Sequence, residues 1–119
     1  MTPPAQHDGL SLERWRGYPF DQQVLMIANE MNRASAMIER GAADRARTGY
    51  ERVLALTDLT VGAAATRTRR RELLRWRDLA ASLYVSPTIL PAAHREAFRA
   101  LLQLTPGSAR QIPFLLPSA

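Results

Sequence analysis

Two histidines, eleven carboxylates and sixteen arginines supply most of the acid–base and charge chemistry open to this chain, which has no cysteine and no lysine. Nucleophilic catalysis needs a nucleophile and a base brought together, and histidine is the commonest base near neutral pH. His7 falls in a leader broken by Pro3, Pro4 and Gly9. His94 falls in the first turn of a helix beside Arg95 and Glu96, where it reads as an ordinary surface histidine. Helical metal sites use a Glu-x-x-His step, but Pro91 stands three residues before His94. Glu30, Glu51, Asp58, Glu72 and Asp78 are scattered singly near arginines or apolar positions, which reads as ion pairing. A phosphate-cradling Gly-x-x-x-x-Gly-Lys run is excluded by the lack of lysine. The expectation is a non-enzyme with no catalytic residue, no cofactor and no metal.

The one concentrated charge feature is Thr66 to Arg77, which holds six arginines against the single acid Glu72. On a helix Arg67, Arg71 and Arg75 recur at i, i+4 and form a ridge facing away from Leu73, Trp76, Ala80 and Leu83. Like charges at that spacing repel by a few tenths of a kcal/mol per pair. The cluster also crowds a helix N-terminus, where the macrodipole favours anions. A ridge that works against its own helix calls for compensation, either from Glu51, Asp58, Glu72 and Asp78 within the chain or from an outside anion or acidic partner. Arg67, Arg69, Arg70, Arg71 and Arg75 are therefore the candidate anion-binding or partner-binding residues. Trp76, the only aromatic in the cluster, has the spacing of a core residue, which favours packing over stacking on bases.

These residues must be positioned by a single domain, because 119 residues cannot bury two separate cores. Hydrophobic and charged fractions of 46% and 23% suit a globular fold over disorder. The net charge of +5 is weak support for nucleic acid, since the exclusive use of arginine points first to coding bias. Without cysteine, an export signal or an apolar stretch near the roughly 20 residues needed to cross a bilayer, the expected compartment is the cytoplasm, with no membrane partner.

The fold class expected is all-α: a small four-helix antiparallel bundle over residues 10–106, a loose leader over 1–9 and an extended, proline-bounded apolar tail over 107–119. Ser11 caps a short turn through Leu12 and Trp15. Phe20, Val24, Ile27, Met31, Ala34 and Ile38 alternate steps of four and three, the seam of an amphipathic helix, and Gly41 stops it. A second helix from Ala42 or Asp44 to Gly62 turns Ala46, Tyr50, Val53, Leu54, Thr57 and Val61 to one side, despite Gly49, which costs roughly 1 kcal/mol against alanine. A third covers Thr66 to Val85 and ends at Ser86-Pro87. A fourth starts at Pro91, turns Ala97, Phe98, Leu101 and Leu104 inward, and ends at Thr105-Pro106-Gly107. The tail Ile112 to Pro117 reads as extended, with Phe114, Leu115 and Leu116 as candidate apolar partner contacts.

Ala34, Gly41, Ala46, Tyr50 and Val53-Leu54 carry a resemblance over about residues 30–58 to one helical hairpin of a tetratricopeptide repeat, where small residues let two helices pack closely. The chain departs from that repeat at Glu30 and Arg33, where a large aromatic and a leucine are usual, and at Asp58, where proline is usual. No second copy follows one period later. The resemblance implies a hairpin of that geometry and a peptide-binding role.

The function these observations favour is a non-enzymatic protein-interaction or scaffold module that binds another protein or a second copy of itself. Leu25, Met26, Met37 and Leu56, lying off the main seams, either offer an adaptable contact face or complete a broad core. The alternative is binding of nucleic acid or a phosphate ligand through the Arg67/Arg71/Arg75 ridge.

Overall fold

A computed structural model describes residues 11–117, in which seven helices and no strand are formed. They are α1 (Leu12–Arg16), α2 (Phe20–Glu39), α3 (Ala43–Ala63), α4 (Arg67–Val85), α5 (Pro91–Leu102), α6 (Pro106–Ala109) and α7 (Ile112–Leu115). The leader expected over residues 1–9 lies outside the described residues. The protein is all-α, with four long helices whose starts agree with the sequence signals. Thr66 Oγ1 accepts from the Arg69 amide at 3.1 Å, and Ser11 Oγ accepts from the Arg14 amide at 3.2 Å. Such caps satisfy amide donors that the first turn leaves without carbonyl partners.

Gly41 ends α2 in a left-handed turn with φ of 72°. The Gly41 amide donates to Ile38 O at 3.0 Å and the Ala42 amide to Met37 O at 2.8 Å, the paired bonds that close a helix around a glycine. The chain reverses there, and α3 packs along α2 through Ala34 and the bare Gly49. Beyond this hairpin, α4 lies against α3, and α5 lies against both α2 and α4. The core runs through Val24, Ile27, Met31, Ala46, Tyr50, Val53, Trp76, Ala80, Phe98 and Leu101, all buried.

The core is broader than the seams. Leu56 is buried, and Leu25, Met26 and Met37, half-buried, pack against the cluster from its margins and broaden the core. Trp15 is fully buried although α1 is only five residues long. Its indole N–H donates to Thr60 Oγ1 at 2.9 Å, and Gln23 Nε2 donates to Trp15 O at 2.8 Å, which fastens α1 to α3 and α2. Burial of a large aromatic with its polar edge satisfied makes this short turn part of the domain.

The C-terminal segment corrects the expectation of an extended tail. Thr105 Oγ1 accepts from the Ser108 amide at 2.9 Å and starts α6, and Ile112-Pro113 opens the single turn of α7 with proline in its first turn. Proline suits that position because its missing N–H would have no helical acceptor. Leu116 is buried in the core cluster, and Arg95 Nη2 donates to Leu116 O at 3.1 Å and to Pro117 O at 2.6 Å. Pro113 thus opens, and Pro117 follows, a helical turn packed on the domain.

Candidate functional site

His94 is buried, not on the surface as its isolated setting in the sequence implied. Proline at the first position of α5 sets the helix so that its fourth residue points inward, toward α2 and α3. Tyr50 Oη lies 2.6 Å from His94 Nδ1, while His94 Nε2 lies 2.8 Å from Ser35 Oγ and 3.2 Å from Met31 O. The Met31 carbonyl can only accept, so Nε2 carries the ring proton and Nδ1 accepts from the tyrosine hydroxyl. Ser35 Oγ in turn donates to Met31 O at 3.1 Å. Burial lowers the His94 pKa to about 4, opposed in part by the Met31 hydrogen bond, and raises that of Tyr50. Both groups are neutral at pH 7.

A serine beside a histidine invites comparison with a nucleophile and its base. The polarity here is reversed, because a base must accept the serine proton while this Nε2 donates. The Nδ1 lone pair is occupied by Tyr50. What the arrangement does is satisfy four polar groups on α2, α3 and α5 at the point where the helices meet.

Two carboxylates on the hairpin pair with arginine. Glu30, nearly buried, accepts from Arg52 Nε at 2.9 Å and from Arg33 Nη1 at 3.3 Å. Asp58 accepts from Arg77 Nε at 2.5 Å, which ties α3 to α4 and raises the arginine pKa. Glu51 takes the Tyr84 hydroxyl at 2.8 Å. Asp58 thus compensates Arg77, the last arginine of the Thr66 to Arg77 cluster, while Glu51 turns to Tyr84, and among the described residues no such pairing reaches Arg67, Arg71 or Arg75.

The ridge itself stands out into solvent. Arg67, Arg70, Arg71 and Arg75 are exposed, and among the described residues none has a carboxylate within salt-bridge distance. Arg69 is the exception, half-buried with its guanidinium 4.0 Å above the Phe20 ring, a cation–π contact that joins α4 to the start of α2. Leu79 continues the i, i+4 row one turn beyond Arg75 and is 40% exposed, as is Leu74 at 43% on the same outer side. Leu79 and Arg75 border a cleft of about 420 Å³ between α4 and α5, floored by Trp76, Ala100 and Leu104. Trp76 is fixed there, its indole N–H donating to Ala97 O at 2.8 Å, so it acts as a wall.

Of the apolar tail residues, Leu116 is buried and Leu115 is half-buried against the core. Phe114 alone points outward, at 77% exposure. The sequence reading missed the burial of His94 and the anchoring of Trp15. The i, i+4 relation of His94 to Phe98 and its step of three to Ala97 were the available signal for the first.

The chain matches no protein-family model, no curated protein and no solved structure. Among the described residues no helix is long and apolar enough to cross a membrane, and no group of three or more potential ligands could hold a metal ion.

Proposed function

We propose that this chain is a cytoplasmic, non-enzymatic protein-interaction module, its four long helices forming an antiparallel bundle, and that the outer face of α4 receives an acidic amphipathic helix from a partner protein. The observation that carries this reading is the row Arg67, Arg71, Arg75 and Leu79. Three guanidiniums without internal carboxylates run directly into an exposed leucine at the rim of an apolar cleft. An incoming helix with acid along one edge and leucine along the other meets both at once, and helix-in-groove binding uses that pattern. Glu72, on the same cleft, repels acid there and so selects which edge of the incoming helix faces Arg75. The tetratricopeptide-like hairpin supports a role in binding peptide and supplies the rigid platform on which α4 rests.

The test is fluorescence anisotropy with a labelled synthetic helix carrying glutamates and leucines on adjacent edges, run beside a labelled duplex oligonucleotide across a salt titration. Binding of the peptide is expected to fall at least about tenfold in the Arg67/Arg71/Arg75→Gln variant and in Leu79→Ser, since charge-assisted and apolar contacts each contribute on the order of 1.5 kcal/mol. An oligonucleotide bound more tightly than the peptide, steeply salt-dependent and indifferent to Leu79→Ser, would replace this reading with nucleic-acid binding.

A further inference from the structure

We propose that a second site, the cleft between α2 and α3, binds a small organic oxyanion, a carboxylate or phosphate monoester carrying a short apolar group. The cleft measures about 320 Å³, with Arg33, Arg45 and Arg52 around its rim and Ala34, Met37 and Gly49 at its floor. Three formal positive charges line it, and Glu30 is the one carboxylate within salt-bridge distance of any of them among the described residues. Glu30 takes its hydrogen bond from Arg52 at Nε, and among the described residues the two terminal nitrogens of Arg52 make no hydrogen bond to a carboxylate. Arg45, on the first turns of α3, is exposed and has no carboxylate within salt-bridge distance among the described residues.

The buried carboxylate therefore acts as a brace. It holds Arg52 at the cleft wall through Nε and leaves the terminal nitrogens for the two oxygens of a carboxylate or phosphate. The Arg52 side chain is 27% exposed, so an anion there meets a partly desolvated guanidinium. Arg33, 69% exposed, closes the outer rim. Ala34, Met37 and the bare backbone at Gly49 offer nothing to an inorganic ion but suit a short alkyl or aryl group.

Gly49 supplies an independent line of support. A glycine inside a helix is destabilising relative to alanine. Backbone geometry does not require one here, because Gly41 is the only described glycine with positive φ. A Cβ at position 49 would meet Ala34 Cβ at 3.6 Å and Arg52 Nη2 at 4.0 Å, both ordinary contacts. What the missing methyl does leave open is the floor of the cleft beneath the Arg52 fork.

The experiment is a titration of the isotope-labelled protein with inorganic phosphate, butyl phosphate and hexanoate, following the Gly49 amide and the Arg52 Nε–H by NMR, together with thermal melts. Saturable shifts at both reporters are expected with butyl phosphate, hexanoate or both, and the stronger of the two assigns the anion. Inorganic phosphate should bind about tenfold more weakly, for want of the apolar contact. Arg45→Gln should weaken the organic anion roughly tenfold while leaving the melt unchanged. Gly49→Ala should raise the Tm and weaken binding at the same time, a combination that a purely structural glycine does not give. Absence of saturable shifts with either organic anion, equal affinity for inorganic phosphate, or unchanged affinity in Gly49→Ala would each overturn the proposal.

Discussion

The Tyr50 hydroxyl donates to His94 Nδ1 across 2.6 Å, and the burial of this histidine sets how the fold responds to acid. An unfolded chain protonates this histidine near its ordinary value of 6.5, whereas the folded protein holds it neutral down to about 4. The unfolded state therefore binds more protons throughout that window, and stability falls as pH drops from 6.5 towards 4. The loss attributable to this group is on the order of 3 kcal/mol. Urea midpoints measured between pH 7 and pH 4 should show a steep decline in the wild type and a shallower one in His94→Gln. Parallel curves would mean that the histidine is not held neutral by the fold.

Removing the donor alone gives a second handle on the same node. Tyr50→Phe keeps the ring and leaves Nδ1 a buried acceptor with no partner, which costs about 1–3 kcal/mol at pH 7. Because an unsatisfied Nδ1 is more easily protonated, the variant's decline with acid should be shallower than the wild type's. Equilibrium unfolding at pH 7 and pH 5 checks both parts, and a Tyr50→Phe protein as stable as wild type at pH 7 would contradict the hydrogen-bond assignment.

The helical frame was legible in the sequence because its signals are local. Gly41, Pro91 and the Ser86-Pro87 pair each fix a boundary through the backbone geometry of one or two residues, and the seam from Phe20 to Ile38 fixes a buried face through its spacing. His94, Trp15 and Glu30 were not legible in the same way. Each is a polar or amphipathic group whose burial depends on partners far along the chain: Tyr50 for His94, Thr60 for Trp15 and Arg52 for Glu30. Glu30 and Arg33 show the point most clearly. They read as departures from a repeat pattern, and in the fold they belong to one ion-pair network with Arg52. The ridge was legible as a ridge, but which of the cluster's arginines is paired depended on tertiary placement: Asp58 takes Arg77 and Glu51 takes Tyr84.

The network around Glu30 should be unequal in its two arms. Arg52 bonds the nearly buried carboxylate at 2.9 Å from a partly covered position, whereas Arg33 reaches it at 3.3 Å from solvent. Arg52→Gln is expected to destabilise the protein by about 1–3 kcal/mol, because it strips a buried charge of its better partner. Arg33→Gln should cost less than about 1 kcal/mol, as exposed ion pairs do. Denaturant titration of the two variants decides the matter, and equal losses would show that the carboxylate is shared evenly.

The C-terminal turn offers a test between neighbours of opposite orientation. Leu116 is 5% exposed and belongs to the core cluster, while Phe114, two residues earlier, is 77% exposed. Hydrophobicity alone ranks both as core candidates, and an extended tail held off the domain would make both replaceable. A leucine already packed against the helices loses its transfer free energy and leaves a cavity when truncated, so Leu116→Ala is expected to cost about 2–3 kcal/mol. Phe114→Ser should change stability by less than about 0.5 kcal/mol, since an isolated exposed aromatic contributes little to the folded state. Arg95→Gln should fall between them, removing the donor that holds Leu116 O and Pro117 O. If Leu116→Ala unfolds at the wild-type urea midpoint, the α7 turn is not part of the cooperative unit and the tail is available to partners after all.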